Sequence, residues 1–150
     1  MTEPGARPTL GRWTRLGMGI AAAALALVLG VARRLEPDPR GYGTHRQLGL
    51  PPCAFLAMTG RPCPSCGMTT AFAWSSRGRF GRSWRANPAG AILAPACVAM
   101  IPWLVVGALR GRPWGARTLE GPLTALLVAA VALGLLSWTV RLLQNQGRAL

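Results

Sequence analysis

AGAILAPACVAMIPWLVVGAL, residues 89–109, is a run of 21 residues without a charge. As an α-helix it measures roughly 31 Å, the thickness of a bilayer's hydrocarbon core. Asn87 is a suitable N-cap for it, and Pro88 fits a first helical turn. Pro95 and Pro102 predict kinks, with carbonyls that need partners inside a bundle. Two other runs read the same way. Residues 16–32 are Ala-rich and bounded by Arg15 and Arg33-Arg34, a helix of roughly 25 Å. Residues 123–140 are entered through Gly121-Pro122 and closed by Arg141. The first run has the basic flank of a signal peptide and a small-x-small site, Gly30-Val31-Ala32. It exceeds an ordinary signal core, however, and two arginines follow at once, which favours a retained helix.

Composition agrees. Of 150 residues, 51% are hydrophobic and 14% charged, with mean hydropathy +0.30. That balance belongs to membrane spans rather than to a soluble domain. All 17 basic residues are arginine, giving a formal charge of +13. Nucleic acid is not an expected partner: no zinc-finger, helix-turn-helix or RNA-binding signature is present, and the arginines flank apolar runs, where they meet anionic lipid headgroups. Trp74, Trp84, Trp103, Trp114 and Trp138 sit near span ends, as interfacial aromatics do. The four acidic residues argue against acid/base hydrolysis. The expected fold is an all-α polytopic membrane protein, one domain over residues 1–150, with three transmembrane helices and a short Cys-bearing helix that is interfacial or re-entrant.

The connection between the first two spans, residues 33–88, carries the chemistry, chiefly in a cysteine loop over residues 53–88. Residues 36–52 are rich in Pro, Gly and charge and read as irregular. A short apolar turn of helix follows at 54–58, and Gly60-Arg61-Pro62 breaks it. A second short helix is expected from Pro64 to about Ser76. Cys63-Pro64-Ser65-Cys66 is a C-x-x-C pair at its start, where the helix N-terminus stabilises a thiolate. This spacing serves a redox disulfide or a metal. In the redox reading Cys63 attacks and Cys66 resolves. In the metal reading Cys53, Cys63 and Cys66 supply three zinc ligands and His45, the one histidine, the fourth. Against both stands simple packing or a structural disulfide such as Cys53 to Cys63, since free cysteine is commonly buried. Cys97, inside an apolar run, reads as a small apolar residue. Thr69 and Thr70 are expected to bond back to helix carbonyls. Residues 78–85 form a basic approach to the second span, and Arg79, Arg82 and Arg85 are the candidates for membrane-surface or partner contact.

With three spans, the cysteine loop and the C-terminus share a side. Ten arginines lie near span ends on that side and six on the other. The positive-inside rule therefore places the cysteines in the cytoplasm.

The order Cys53, Thr59-Gly60, Cys63-Pro64-Ser65-Cys66-Gly67-Met68-Thr69, Gly78, Phe80, Asn87-Pro88 resembles a family of small bacterial membrane proteins, domain of unknown function 2752. Members often carry Arg after the motif threonine and Pro after the upstream cysteine; this chain has Thr70 and Ala54 there. The resemblance implies a multi-pass protein of the bacterial plasma membrane and no particular reaction. The expected function is a non-enzymatic membrane subunit or scaffold, in contact with lipid and a membrane-protein partner, whose cysteines fix the loop. The alternatives are a membrane thiol-disulfide oxidoreductase and a metal or cofactor carrier.

Overall fold

A computed structural model describes residues 10–111 and 120–146. They are helical, with no strand among them. Two long helices form a hairpin: α1, Arg12–Arg34, and α5, Pro88–Arg110. Between them lie α2, Ala54–Thr59, α3, Met68–Ser75, and α4, Phe80–Ala86, preceded by a 3₁₀ turn over Thr44–Leu48. The last helix is α6, Glu120–Gln146.

α1 and α5 run antiparallel, with α1 tied to α5 at one end and to the segment after α3 at the other. At one end the Leu10 N–H donates to Gly111 O at 2.8 Å. Arg15 also donates to the carbonyls that end α5: Nε to Ala108 O at 2.7 Å and Nη2 to Leu109 O at 3.2 Å. At the other end Arg77 donates to Ala32 O at 3.4 Å and Leu35 O at 2.8 Å, where α1 ends, and to Ala73 O at 2.8 Å. A helix C-terminus leaves carbonyls without partners and carries partial negative charge, so a guanidinium is stabilising there. Between the ties, Met18 and Ala22 of α1 meet Leu104 of α5, with Leu25, Met100 and Trp103 around them. Met18, Ala22 and Leu25 are spaced as one face of a helix.

α1 and α5 are long and apolar enough to cross a membrane, with mean hydropathy 2.0 and 2.2 in their most apolar windows. Only 17% of each window is buried within the chain. Ile20, Leu27, Val28, Val98 and Val105 lie exposed. The third expected span falls in α6, whose apolar stretch is shorter, Leu127–Val140. Side chains at Leu123 and Arg141, which bound that expected span, lie outside the described residues. The small Gly134 brings α6 against the start of α5: a Cβ on it would stand 4.0 Å from Ala89 Cβ.

The loop between α1 and α5 covers one end of this hairpin. Three details differ from the sequence reading. The expected helix over 64–76 begins at Met68, because Gly67 adopts φ +87° and cannot lie inside a right-handed helix. The basic approach at 78–85 is itself helical, as α4. Thr70 does not bond back along its own helix: its Oγ1 is 2.8 Å from Oγ1 of Thr44, both fully buried. α5 continues through Pro95 and Pro102, both exposed on its outer face.

Candidate metal centre

Two pieces of chain bring the cysteines together: the residue before α2, and the Cys63–Cys66 turn, in which the Cys66 N–H donates to Cys63 O at 3.0 Å. Cys53 is the residue before α2, Cys63 follows the Gly60-Arg61-Pro62 break, and Cys66 sits in the turn before α3. Their three Sγ atoms all lie within 4.8 Å of one another. Cys63 Sγ and Cys66 Sγ are 3.1 Å apart, and Cys66 Sγ accepts from the Cys63 N–H at 3.3 Å. All three are free thiols. In a tetrahedral site with metal–sulfur bonds of about 2.3 Å, two sulfurs stand roughly 3.8 Å apart. The cluster is thus within about an ångström of that spacing, which side-chain rotation supplies.

The turn holding Cys66 is clamped from behind. Asn87, fully buried, donates from Nδ2 to Cys66 O at 3.1 Å and Pro64 O at 3.2 Å. Its Oδ1 accepts from the Gly90 N–H at 3.1 Å, which caps α5. One side chain therefore joins the cysteine turn to the start of a long helix. Gly67 lies flat against neighbouring backbone: a Cβ there would stand 2.6 Å from Gly41 O and closer still to Ala86 O. Gly90 makes a close approach to side chains of α3, where a Cβ would be 2.8 Å from Ala71 Cβ and 3.0 Å from Met68 Sδ. Ser83 of α4 donates to Ala71 O at 2.8 Å and so holds α4 against α3. From the other side α6 reaches in: Trp138 Nε1 donates to Pro62 O at 2.9 Å, and its ring meets Phe55 edge-on at 6.4 Å.

The thiols differ electrostatically. Backbone N–H donation from Leu56, at the start of α2, draws the Cys53 thiol below its usual value, against the opposing effect of burial. Burial pushes the Cys66 thiol up to about 12, and the neighbouring Cys63 sulfur adds to this. Cys53 therefore ionises before Cys66. A bound metal ion would ionise the Cys66 thiol, because its charge replaces the proton.

The other sequence candidates fall as follows. His45 sits on the wall of the same cavity as the thiols but outside their group; its Nε2 lies 3.2 Å from Pro51 O. Cys97 is in the middle of α5, away from the cluster. Arg79, Arg82 and Arg85 are exposed on and beside α4, together with Phe80 and Trp84. The Arg82 guanidinium stacks over Trp74, 4.7 Å from the ring centre. The cavity wall adds residues the sequence did not single out: Arg40, Tyr42 and Arg46. Arg40 is paired with Asp38 at 2.7 Å, and this pair holds the Asp38 carboxyl below its ordinary value. Their one sequence signal is a basic, Gly-punctuated stretch ahead of the cysteines.

No curated protein and no solved structure matches the chain. The cysteine-bearing turn, the clamp on it and the first half of α5 fall together in one segment: residues 53–101 match the family model described as Protein of unknown function (DUF2752), the family that the cysteine motif resembles.

Proposed function

We propose that this chain is a multi-pass membrane protein whose Cys53, Cys63 and Cys66 bind a thiophilic metal ion, zinc in the first instance, and so fix the loop on one end of the helices. The observation that carries this reading is the convergence of three sulfurs, two from the Cys63–Cys66 turn and one from Cys53 ahead of α2, within 4.8 Å. A redox pair needs two thiols; a third one brought in from before α2 is accounted for by ligation. Soft thiolates select zinc or copper(I) among common ions. The role is that of a non-enzymatic subunit or scaffold. α1 and α5 span the bilayer and α6 completes three spans. Supporting this, most of the apolar surface of α1 and α5 has no cover inside the chain, and water does not tolerate exposed patches of that extent. Arg79, Arg82 and Arg85, beside exposed Phe80 and Trp84, meet anionic headgroups at the surface. The arginine bias places the loop on the cytoplasmic side, where thiols stay reduced.

The test is metal analysis with a thiol count on protein purified in mild detergent without chelator. About one zinc per chain with three thiols protected from alkylation is expected. Absence of metal with two thiols recovered only after reduction would instead favour the oxidoreductase, for which the 3.1 Å approach of Cys63 and Cys66 is the supporting observation.

The pH dependence follows from Cys66. Its thiol keeps its proton up to about 12, so metal uptake expels at least that proton at every physiological pH. Apparent zinc affinity is expected to climb about tenfold or more per pH unit between about pH 6 and pH 8. Competition against a chromophoric chelator measures it, and a flat profile would rule out ligation by Cys66.

A further inference from the structure

The thiol cluster forms part of the wall of a cavity of about 550 Å³. That volume is in the range of small-molecule sites. Beyond the sulfurs, the same wall carries Arg40, Arg46, His45 and Tyr42. The two arginines are not equivalent. Arg40 is neutralised by Asp38, donating to both carboxylate oxygens at 3.0 and 2.7 Å. The Arg46 guanidinium makes no hydrogen bond or ion pair to a described residue. Among the described residues no fourth His, Cys, Asp or Glu joins the three thiols. Zinc sites that only hold a fold are closed by four protein ligands, whereas sites that exchange ligands keep one position open.

These observations combine in one way. A metal held by three sulfurs on the wall of an open cavity has a coordination position to fill, and on the same wall stands Arg46, which feels Asp38 at a distance but forms no ion pair with it. We infer that a small anionic ligand enters this cavity and completes the metal's coordination, with Arg46 pairing its charge. This rests on the metal reading proposed above. It makes the centre a place of ligand exchange as well as a fixing point. The ligand chemistry is an oxyanion or a comparably small anion, supplied either free in solution or as the headgroup of an anionic lipid.

Cobalt(II) is the probe, because its visible absorption reports the ligands around it. The full chain is loaded with cobalt(II) in a neutral, lipid-free detergent and titrated with azide, with inorganic phosphate, and separately with phosphatidylglycerol. A saturable change in the cobalt bands is expected. A response to phosphate assigns a free anion; a response to phosphatidylglycerol alone assigns a headgroup. Arg46→Gln is expected to weaken the responding anion about tenfold or more while cobalt uptake stays the same. Cobalt bands that ignore all three additions would overturn the inference and leave the metal reading standing. An Arg46→Gln response equal to that of the natural chain would overturn the role of Arg46. Failure of the chain to take up cobalt or zinc at all would remove the metal reading itself.

Discussion

Cys66→Ser is expected to abolish stoichiometric zinc while leaving the helices intact. Serine keeps an acceptor for the Cys63 N–H, which Cys66 Sγ accepts at 3.3 Å, and it leaves the Asn87 clamp on the backbone of the same residue untouched. What it removes is a thiolate, and a hydroxyl does not ionise at neutral pH. Losing a supporting hydrogen bond around a metal costs roughly 10–100-fold in affinity, and losing one of three ligands costs more. Metal analysis together with circular dichroism in detergent gives both halves of the result. Cys97→Ser is the control, since Cys97 is outside the group and should retain full zinc. Equal zinc in Cys66→Ser and the natural chain would defeat the assignment of the centre.

Gly67→Ala is expected to lose about 3 kcal/mol or more of stability, the largest effect of any single methyl added to this loop. Two costs combine. The residue is held at φ +87°, which an L side chain rarely adopts, and its Cβ would meet Ala86 O and Gly41 O well inside contact distance. Both obstacles are backbone, so neither swings away. Gly78→Ala separates the two: φ there is +70° and nothing lies within 4 Å, leaving the conformational cost of about 1–2 kcal/mol alone. Gly81→Ala, inside α4 with nothing within 4 Å, should be neutral or stabilising. Thermal melting of the three variants in one detergent gives the order. Gly67→Ala melting with Gly78→Ala would mean that the close approach at Gly67 is not maintained in the protein.

The parts of the molecule that follow one-dimensional rules were legible in the sequence. Long uncharged runs mark α1 and α5, since length and hydropathy are sums over neighbouring residues. Asn87-Pro88 was readable as a helix start for the same local reason. Its second role, holding Pro64 O and Cys66 O, was not, because it depends on two segments more than twenty residues apart. The start of α3 was misplaced for a specific reason: Pro64 suits a first helical turn, but the turn's register is set by Gly67, which must reach Ala86 and Gly41. The meeting of Cys53 with the C-x-x-C pair was guessable from cysteine chemistry. Arg40, Tyr42 and Arg46 on the cavity wall were not, since nothing in a basic loop sequence says which way it folds back. In α4 the helical spacing of buried Ser83 and Ala86 is interrupted by arginines and a glycine, which carry no apolar pattern.

The two arginine ties on the long hairpin have a mechanical consequence. Arg15 grips the last carbonyls of one helix and Arg77 those of the other, at opposite ends. Arg77 follows α3, and Asn87 ties the turn ahead of α3 to the start of α5, so sliding α1 along α5 by one turn, about 5.4 Å, would strain both grips. The hairpin therefore behaves as a strut of fixed length rather than a piston. A signal arising at the thiol end has no axial stroke available through α1 and α5. It would have to leave sideways, through the loop or through α6, whose Trp138 is its hydrogen-bonded link to that end.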